Sequence, residues 1–275
     1  MSVGPGLTDN ETLAARLERK WRTRVYNGAS AETDPQGLNH ILFLTQRLHI
    51  TEGTVIYEYL ERHDLPRAEE LVDLSSSSSW PCESWRSRFS VWLEGFSEIS
   101  GLQIVAERVY KSLSNDLIFP NPFKSSVERK TLKNGEPILF YPEDVRSSRM
   151  RRSVDVSGFQ EFAAELQKRN LRLVVLLVPN KYTVYGPLLK DDDALEGETP
   201  LFLNEVEKAL REASIPVVNL VNLFRQKAQE DYKRHVYIYW RDDIHWNSRG
   251  VELAAEEISE REPMPVSVDL ARTLR

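Results

Sequence analysis

Cysteine is nearly absent from this chain: Cys82 is the single one in 275 residues. One thiol excludes an internal disulfide and a cysteine-rich zinc site, leaves the redox compartment open, and is read as an idle side chain. Missing too is any run near the roughly 18 apolar residues that cross a bilayer, and the opening "MSVGPGLTDN" has neither the basic region nor the apolar core of an export signal. The chain as written therefore carries no membrane span and no export address. Basic residues are not in excess either, with 36 Lys and Arg against 42 Asp and Glu and a net charge of -6, so nucleic acid is excluded as a first choice of partner. Neither G-x-G-x-x-G nor a P-loop occurs. His40, His49, His63 and His235 show no metal-ligand spacing. No metal and no cofactor are expected.

What is present is an ordinary globular composition, 41% hydrophobic and 28% charged, on a chain long enough to bury a core. In "SGFQEFAAELQKRN", Phe159, Phe162, Ala163 and Leu166 fall at helical spacing. "LRLVVLLVP" follows as a strand covered on both faces, as in a parallel sheet. "LFLNEVEKALREA" is the next helix, "IPVVNL" the next buried strand, and "WNSRGVELAAEEI" a last helix with Asn247 or Ser248 as its N-cap. Before them, "ETLAARLERKW" and "LNHILFLTQRL" read as helices, "TRVYN" as a short strand and "GTVIYEYL" as a buried strand. Such alternation predicts an α/β fold with a doubly wound sheet.

The expected organisation is residues 1–65 as the first part of this domain, 66–136 as an insertion or connector, 137–262 as the second part, and 263–275 as a tail. The connector opens on Ser75 to Ser79 and then supplies Trp80, Trp85 and Trp92, read as packed on the sheet or at the rim of a site. "RSSRMRRS" from Arg146 to Ser153 is read as a solvated basic face, and "KDDDALEGE" as an exposed acidic loop.

One stretch carries chemistry. "YWRDDIHWNSRG" puts Asp242, Asp243, His245 and Trp246 between the aromatic run "HVYIYW", read as strand-like, and a helix start. That is the end of an element, where α/β proteins place their sites. A histidine acts as a base when a carboxylate holds its other ring nitrogen, and both aspartates are within reach. The plain alternative is that the aspartates cap a turn and His245 packs beside Trp246.

"DDIHWNSRGVELAAEEI", with "VVLLVPNKYTVYGPLL" and "GTVIYEYLERHDL", resembles the SGNH-hydrolase-like family that includes the alginate O-acetyltransferase group, AlgJ and AlgX. The resemblance implies a three-layer α/β/α flavodoxin-like fold with an insertion, and O-acyl transfer or ester hydrolysis on an exopolysaccharide hydroxyl. It assigns Asp243 and His245 to the family's D-x-H-W acid and base, whereas the wider D-x-x-H pattern selects Asp242. Val178, Pro179, Asn180 and Lys181 match a V-P-x-K strand end; Glu61 to Leu65 match E-R-x-L one position out of step. By carry-over Gly28, after "VYN", is an oxyanion N–H donor, Trp246 backs the base and contacts substrate, and Arg62 is a charged wall of the cleft or pairs with Glu58 or Glu61. The implied partners are an acylated carbohydrate or polysaccharide and proteins of polysaccharide assembly, in the cell envelope.

The nucleophile is not where the resemblance expects it. The family's G-D-S-L-T turn follows its central strand, and here "GPGLT" (Gly4 to Thr8) stands in that slot, preceded only by Met1, Ser2 and Val3. Three residues are too few for a central strand of roughly five or six, so the first strand is expected to be truncated. Three explanations stand open: a chain shortened from an active protein, a non-catalytic relative that keeps the cleft, or a substitute hydroxyl at Ser2, Thr8 or Ser30.

Overall fold

The run "LRLVVLLV" is the middle strand of a parallel sheet. The computed structural model describes residues 8–28, 36–68, 109, 127–190 and 201–262. Within them lie strands β1 (Gly53–Leu60), β2 (Glu128–Thr131), β3 (Pro137–Phe140), β4 (Leu171–Val178) and β5 (Val217–Asn219). β1, β4 and β5 form a parallel sheet in that order, while β2 and β3 form an antiparallel hairpin. The helices are α1 (Leu13–Trp21), α2 (Gln36–Arg47), α3 (Pro142–Arg149), α4 (Ser157–Gln167), α5 (Lys181–Tyr185), α6 (Phe202–Glu212), α7 (Val221–Asp231) and α8 (Ser248–Arg261).

Side chains of a strand alternate between faces, and β4 divides its own between two cores. Val174, Leu176 and Val178 join Leu13 and Leu17 of α1, Phe224 and Ala228 of α7, and Val251, Ala254 and Ile258 of α8. Leu173, Val175 and Leu177 join Leu38 and Leu42 of α2, Phe159, Phe162 and Leu166 of α4, and Leu203, Val206 and Leu210 of α6. Helices on both faces of a parallel sheet make the three-layer α/β/α fold. Burial of each such side chain contributes roughly 1.5–3 kcal/mol before entropy is counted.

Two expectations are revised. "TRVYN" forms no strand: after α1 the chain turns through Arg22, in the left-handed region at φ 52, and residues 24–28 have no sheet partner among the described residues. "HVYIYW" is no strand either, and contributes a single bridge, Tyr239 to Trp246, because the chain doubles back there instead of joining the sheet. The β2–β3 hairpin pairs Glu128 with Phe140 and Thr131 with Pro137, so it spans the expected boundary between 136 and 137. Trp80, Cys82, Trp85, Trp92, the five serines, most of the acidic loop and the 263–275 tail lie outside the described residues. So do residues 1–7; among the described residues β1 pairs with β4 alone.

Candidate active site

β1 and β4 end in register, Leu60 opposite Val178. Glu61 and Arg62 therefore leave the sheet beside Pro179, Asn180 and Lys181, at the carboxyl edge where open α/β sheets bind ligands. The two exits are tied together. The Asn180 backbone N–H donates to Glu61 Oε2 at 2.7 Å, and the Glu61 N–H to the Val178 carbonyl at 3.0 Å.

Above this edge sits the loop before α8. Trp240 donates its N–H to the His245 carbonyl and Asn247 its N–H to the Ile238 carbonyl, both at 3.0 Å, flanking the Tyr239–Trp246 bridge. Tyr239 and Trp246 turn into the core, so the neighbouring pair, Trp240 and His245, faces the other way. The Tyr239 hydroxyl donates to the Pro179 carbonyl at 2.5 Å, pinning the loop to the end of β4. Asn247 caps α8 as expected, its Oδ1 accepting from Arg249 and Gly250. A Cβ on Gly250 would sit 2.5 Å from the Ile238 carbonyl oxygen; only glycine lets the helix approach the loop so closely.

The acid and base meet in this loop. Asp243 Oδ1 accepts from the His245 backbone N–H at 2.8 Å and also contacts His245 Nδ1. One carboxylate oxygen thus fixes both the backbone and the ring, assigning the proton to Nδ1 and leaving Nε2 with its lone pair. Burial pushes the Asp243 carboxyl up, but the ring and backbone N–H groups of His245 outweigh it and hold the group below its ordinary value. Asp242, the competing carboxylate, is exposed.

Beneath the loop lies Lys181, fully buried. Its Nζ donates to the carbonyls of Leu139 (2.7 Å), Trp240 (2.6 Å), Arg241 (2.9 Å) and Asp243 (3.0 Å). Burial pushes its ammonium down to about 7, against the pull of Asp242, Asp243 and Asp144. Asp144 on α3 is buried as well, with Arg62 Nη1 3.1 Å from its Oδ1. The pair lacks hydrogen-bond alignment, since neither Asp144 oxygen accepts a hydrogen bond from the described residues. Burial raises the Asp144 carboxyl to about 6, opposed by Arg62, Lys181 and His245. Burial likewise raises Glu58, which the His245 charge opposes.

Asp243 and His245 come together as the D-x-H reading expects, and Arg62 stands near them through Asp144, not through Glu58 or Glu61. Trp246, expected to contact substrate, is 2% exposed, its ring 6.1 Å from Phe224 in the core. Within this loop the exposed aromatic is Trp240, at 38%. Gly28 lies on the exposed segment after α1, with Leu44 of α2 as its neighbour. Thr8 spends its hydroxyl on Glu11 Oε2 at 2.9 Å; Ser2 and Ser30 lie outside the described residues. The basic cluster is only partly a solvated face, because Arg152 donates to the carbonyls of Glu61 and His63 and lies over Phe202. Sequence reasoning gave Lys181 and Asp144 no role. Lys181 stood inside the V-P-x-K match, which was its only signal.

The structure thus holds an acid–base pair over the carboxyl edge of a layered α/β/α sheet. Residues 139–264, just under half of the chain, match the family model described as SGNH hydrolase-like domain, acetyltransferase AlgX, and in that part the chain is similar to an SGNH-like, AlgX-type family. No curated protein and no solved structure gives a match. Among the described residues no helix is long and apolar enough to cross a membrane.

Proposed function

We propose that the protein transfers an acyl group, an acetyl above all, between an ester and a carbohydrate hydroxyl, with His245 as the general base and Asp243 as its orienting acid. The observation that carries the reading is the single Asp243 oxygen engaging both the ring and the backbone of His245. In this scheme Nε2 takes the proton from the attacking hydroxyl as its oxygen bonds to the acyl carbonyl carbon. The tetrahedral adduct then breaks its bond to the departing alkoxide, which receives that proton. Trp240 supports a sugar as the acceptor: an exposed indole beside the base suits the flat apolar face of a pyranose. Gly28 as oxyanion donor rests on the resemblance. A hydroxyl that carries the acyl group covalently is not assigned among the described residues.

The test is release of acetate from an acetylated oligosaccharide, and of nitrophenol from p-nitrophenyl acetate, by wild type and His245→Ala. Turnover that His245→Ala abolishes is expected; equal turnover by both overturns the reading. The engagement of the Thr8 hydroxyl by Glu11 favours a second reading, a non-catalytic carbohydrate-binding or assembly subunit of a polysaccharide system. It predicts saturable glycan binding and no turnover by either protein.

A further inference from the structure

Three backbone carbonyls of one short loop, those of Trp240, Arg241 and Asp243, converge on a single point, and the Leu139 carbonyl of β3 joins them there. Four carbonyl dipoles aimed at one spot repel one another unless a cation occupies it. The occupant is Lys181 Nζ, carried to that spot by the first residue of α5, three positions beyond the end of β4. Its three protons serve four acceptors, so one is shared. The Leu139 N–H donates in turn to the Arg241 carbonyl at 2.8 Å, closing the ring between hairpin and loop.

The position of the third loop carbonyl matters most. It belongs to Asp243, whose side chain holds His245. With that carbonyl drawn inward to Nζ, the loop turns the Asp243 carboxylate outward, and the same peptide run presents the His245 N–H to Oδ1 at 2.8 Å. A rigid path therefore runs from β4 through Lys181 to the acid and then to the base.

We propose that Lys181 is a positioning residue for the Asp243–His245 pair, its ammonium acting as the template around which residues 240–243 fold so that the carboxylate meets the ring. The inference rests on the acyl-transfer reading for its chemical meaning, but its geometry is tested without turnover. Lysine suits the role and arginine does not, because a compact point charge serves acceptors from several directions, whereas a planar guanidinium fork cannot converge on one point.

The experiment compares wild type, Lys181→Met and Lys181→Arg by proton NMR and amide hydrogen exchange. Methionine fills the channel with an unbranched chain and no donor. The expected result is loss of the hydrogen-bonded Nδ1 proton signal of His245 in both variants. Exchange should accelerate at Leu139, Trp240 and His245 while the β4 and α8 amides stay protected; a role in general stability would raise exchange everywhere. If turnover exists, kcat falls roughly a hundredfold, as for a small displacement of a catalytic group, with KM little changed. An Nδ1 proton signal and loop protection equal to wild type in Lys181→Met, or their restoration in Lys181→Arg, overturns the proposal. Should neither variant fold, the wild type labelled with 15N-lysine decides: a slowly exchanging ammonium signal for one lysine is expected, and its absence overturns the inference. Wild type without turnover but with the Nδ1 signal intact defeats the acyl-transfer reading and leaves the positioning role standing.

Discussion

The Trp240 amide donates to the His245 carbonyl at 3.0 Å, and this bond places the indole of one residue and the imidazole of the other on the same side of a doubled-back loop. Their sequence neighbours, Tyr239 and Trp246, are committed to the core by the same alternation. Two tryptophans six positions apart thereby receive opposite tasks.

Replacing each tells them apart. Trp246→Ala empties a packed site against Phe224 and is expected to cost about 3–5 kcal/mol of stability, read as a lowered urea midpoint. Trp240→Ala removes an exposed ring, so its stability should stay within about 0.5 kcal/mol of wild type. Its expected defect is in glycan binding, weakened several-fold or more and measured by calorimetric titration.

The acid is identified by substitution of the two aspartates. Asp243→Asn replaces the acceptor-only carboxylate, which fixes the His245 tautomer, with a neutral amide that can also donate, and is expected to lower kcat on an acetyl ester by roughly 10⁴-fold, as in a Ser-His-Asp triad. Asp242→Asn should stay near wild type. Steady-state kinetics on the two variants separates them, and a larger loss in Asp242→Asn assigns the acid to Asp242.

Acid titration of stability carries a definite sign. The Asp243 carboxyl is held below its unfolded value, so its contribution is complete above the unfolded value of about 4 and disappears as pH falls through the lower folded value. The urea midpoint of wild type should exceed that of Asp243→Asn by a constant margin from pH 7 down to about 4, then converge on it.

Asp144 has the opposite slope. Its carboxyl is raised to about 6 by burial, so the unfolded chain releases this proton first and wild type loses stability as pH climbs from about 4 to about 6. Relative to Asp144→Asn, wild type should weaken across that interval and run parallel above it. The comparison of slopes is independent of the constant cost of losing the Arg62 partner.

Gly250→Ala should be tolerated poorly for an α-helical position. The added Cβ would meet the Ile238 carbonyl oxygen at 2.5 Å, forcing α8 away from the loop at a cost of about 1–3 kcal/mol. Thermal unfolding measures the cost, and an unchanged midpoint would show that the helix has room to move.

Much of the layered core was legible because hydrophobic period survives in sequence. Phe159, Phe162 and Leu166 sit on one face of α4 as their spacing predicts, and the β4 run is buried on both sides. The D-x-H pair was legible because its two partners are local, only two residues apart. "HVYIYW" misled, since aromatic and β-branched residues favour an extended backbone without saying whether a partner strand exists. Lys181 and Asp144 were not legible. A charged side chain is buried by partners distant in sequence, here Leu139, Trp240 and Arg62, and no periodicity records such meetings. Arg62 shows the same limit: local reasoning offered Glu58 and Glu61, while the ion pair forms across 82 positions with Asp144.

The in-register pairing of Gly53 with Leu171 and of Leu60 with Val178 joins segments more than a hundred residues apart. Closing so long an excursion of chain consumes entropy before the strands return any of it, and parallel pairing between distant segments is slow to nucleate. During synthesis the first strand must therefore wait for this pairing until the second has left the ribosome. The sheet that supports the acid and base is among the last parts of the molecule to assemble.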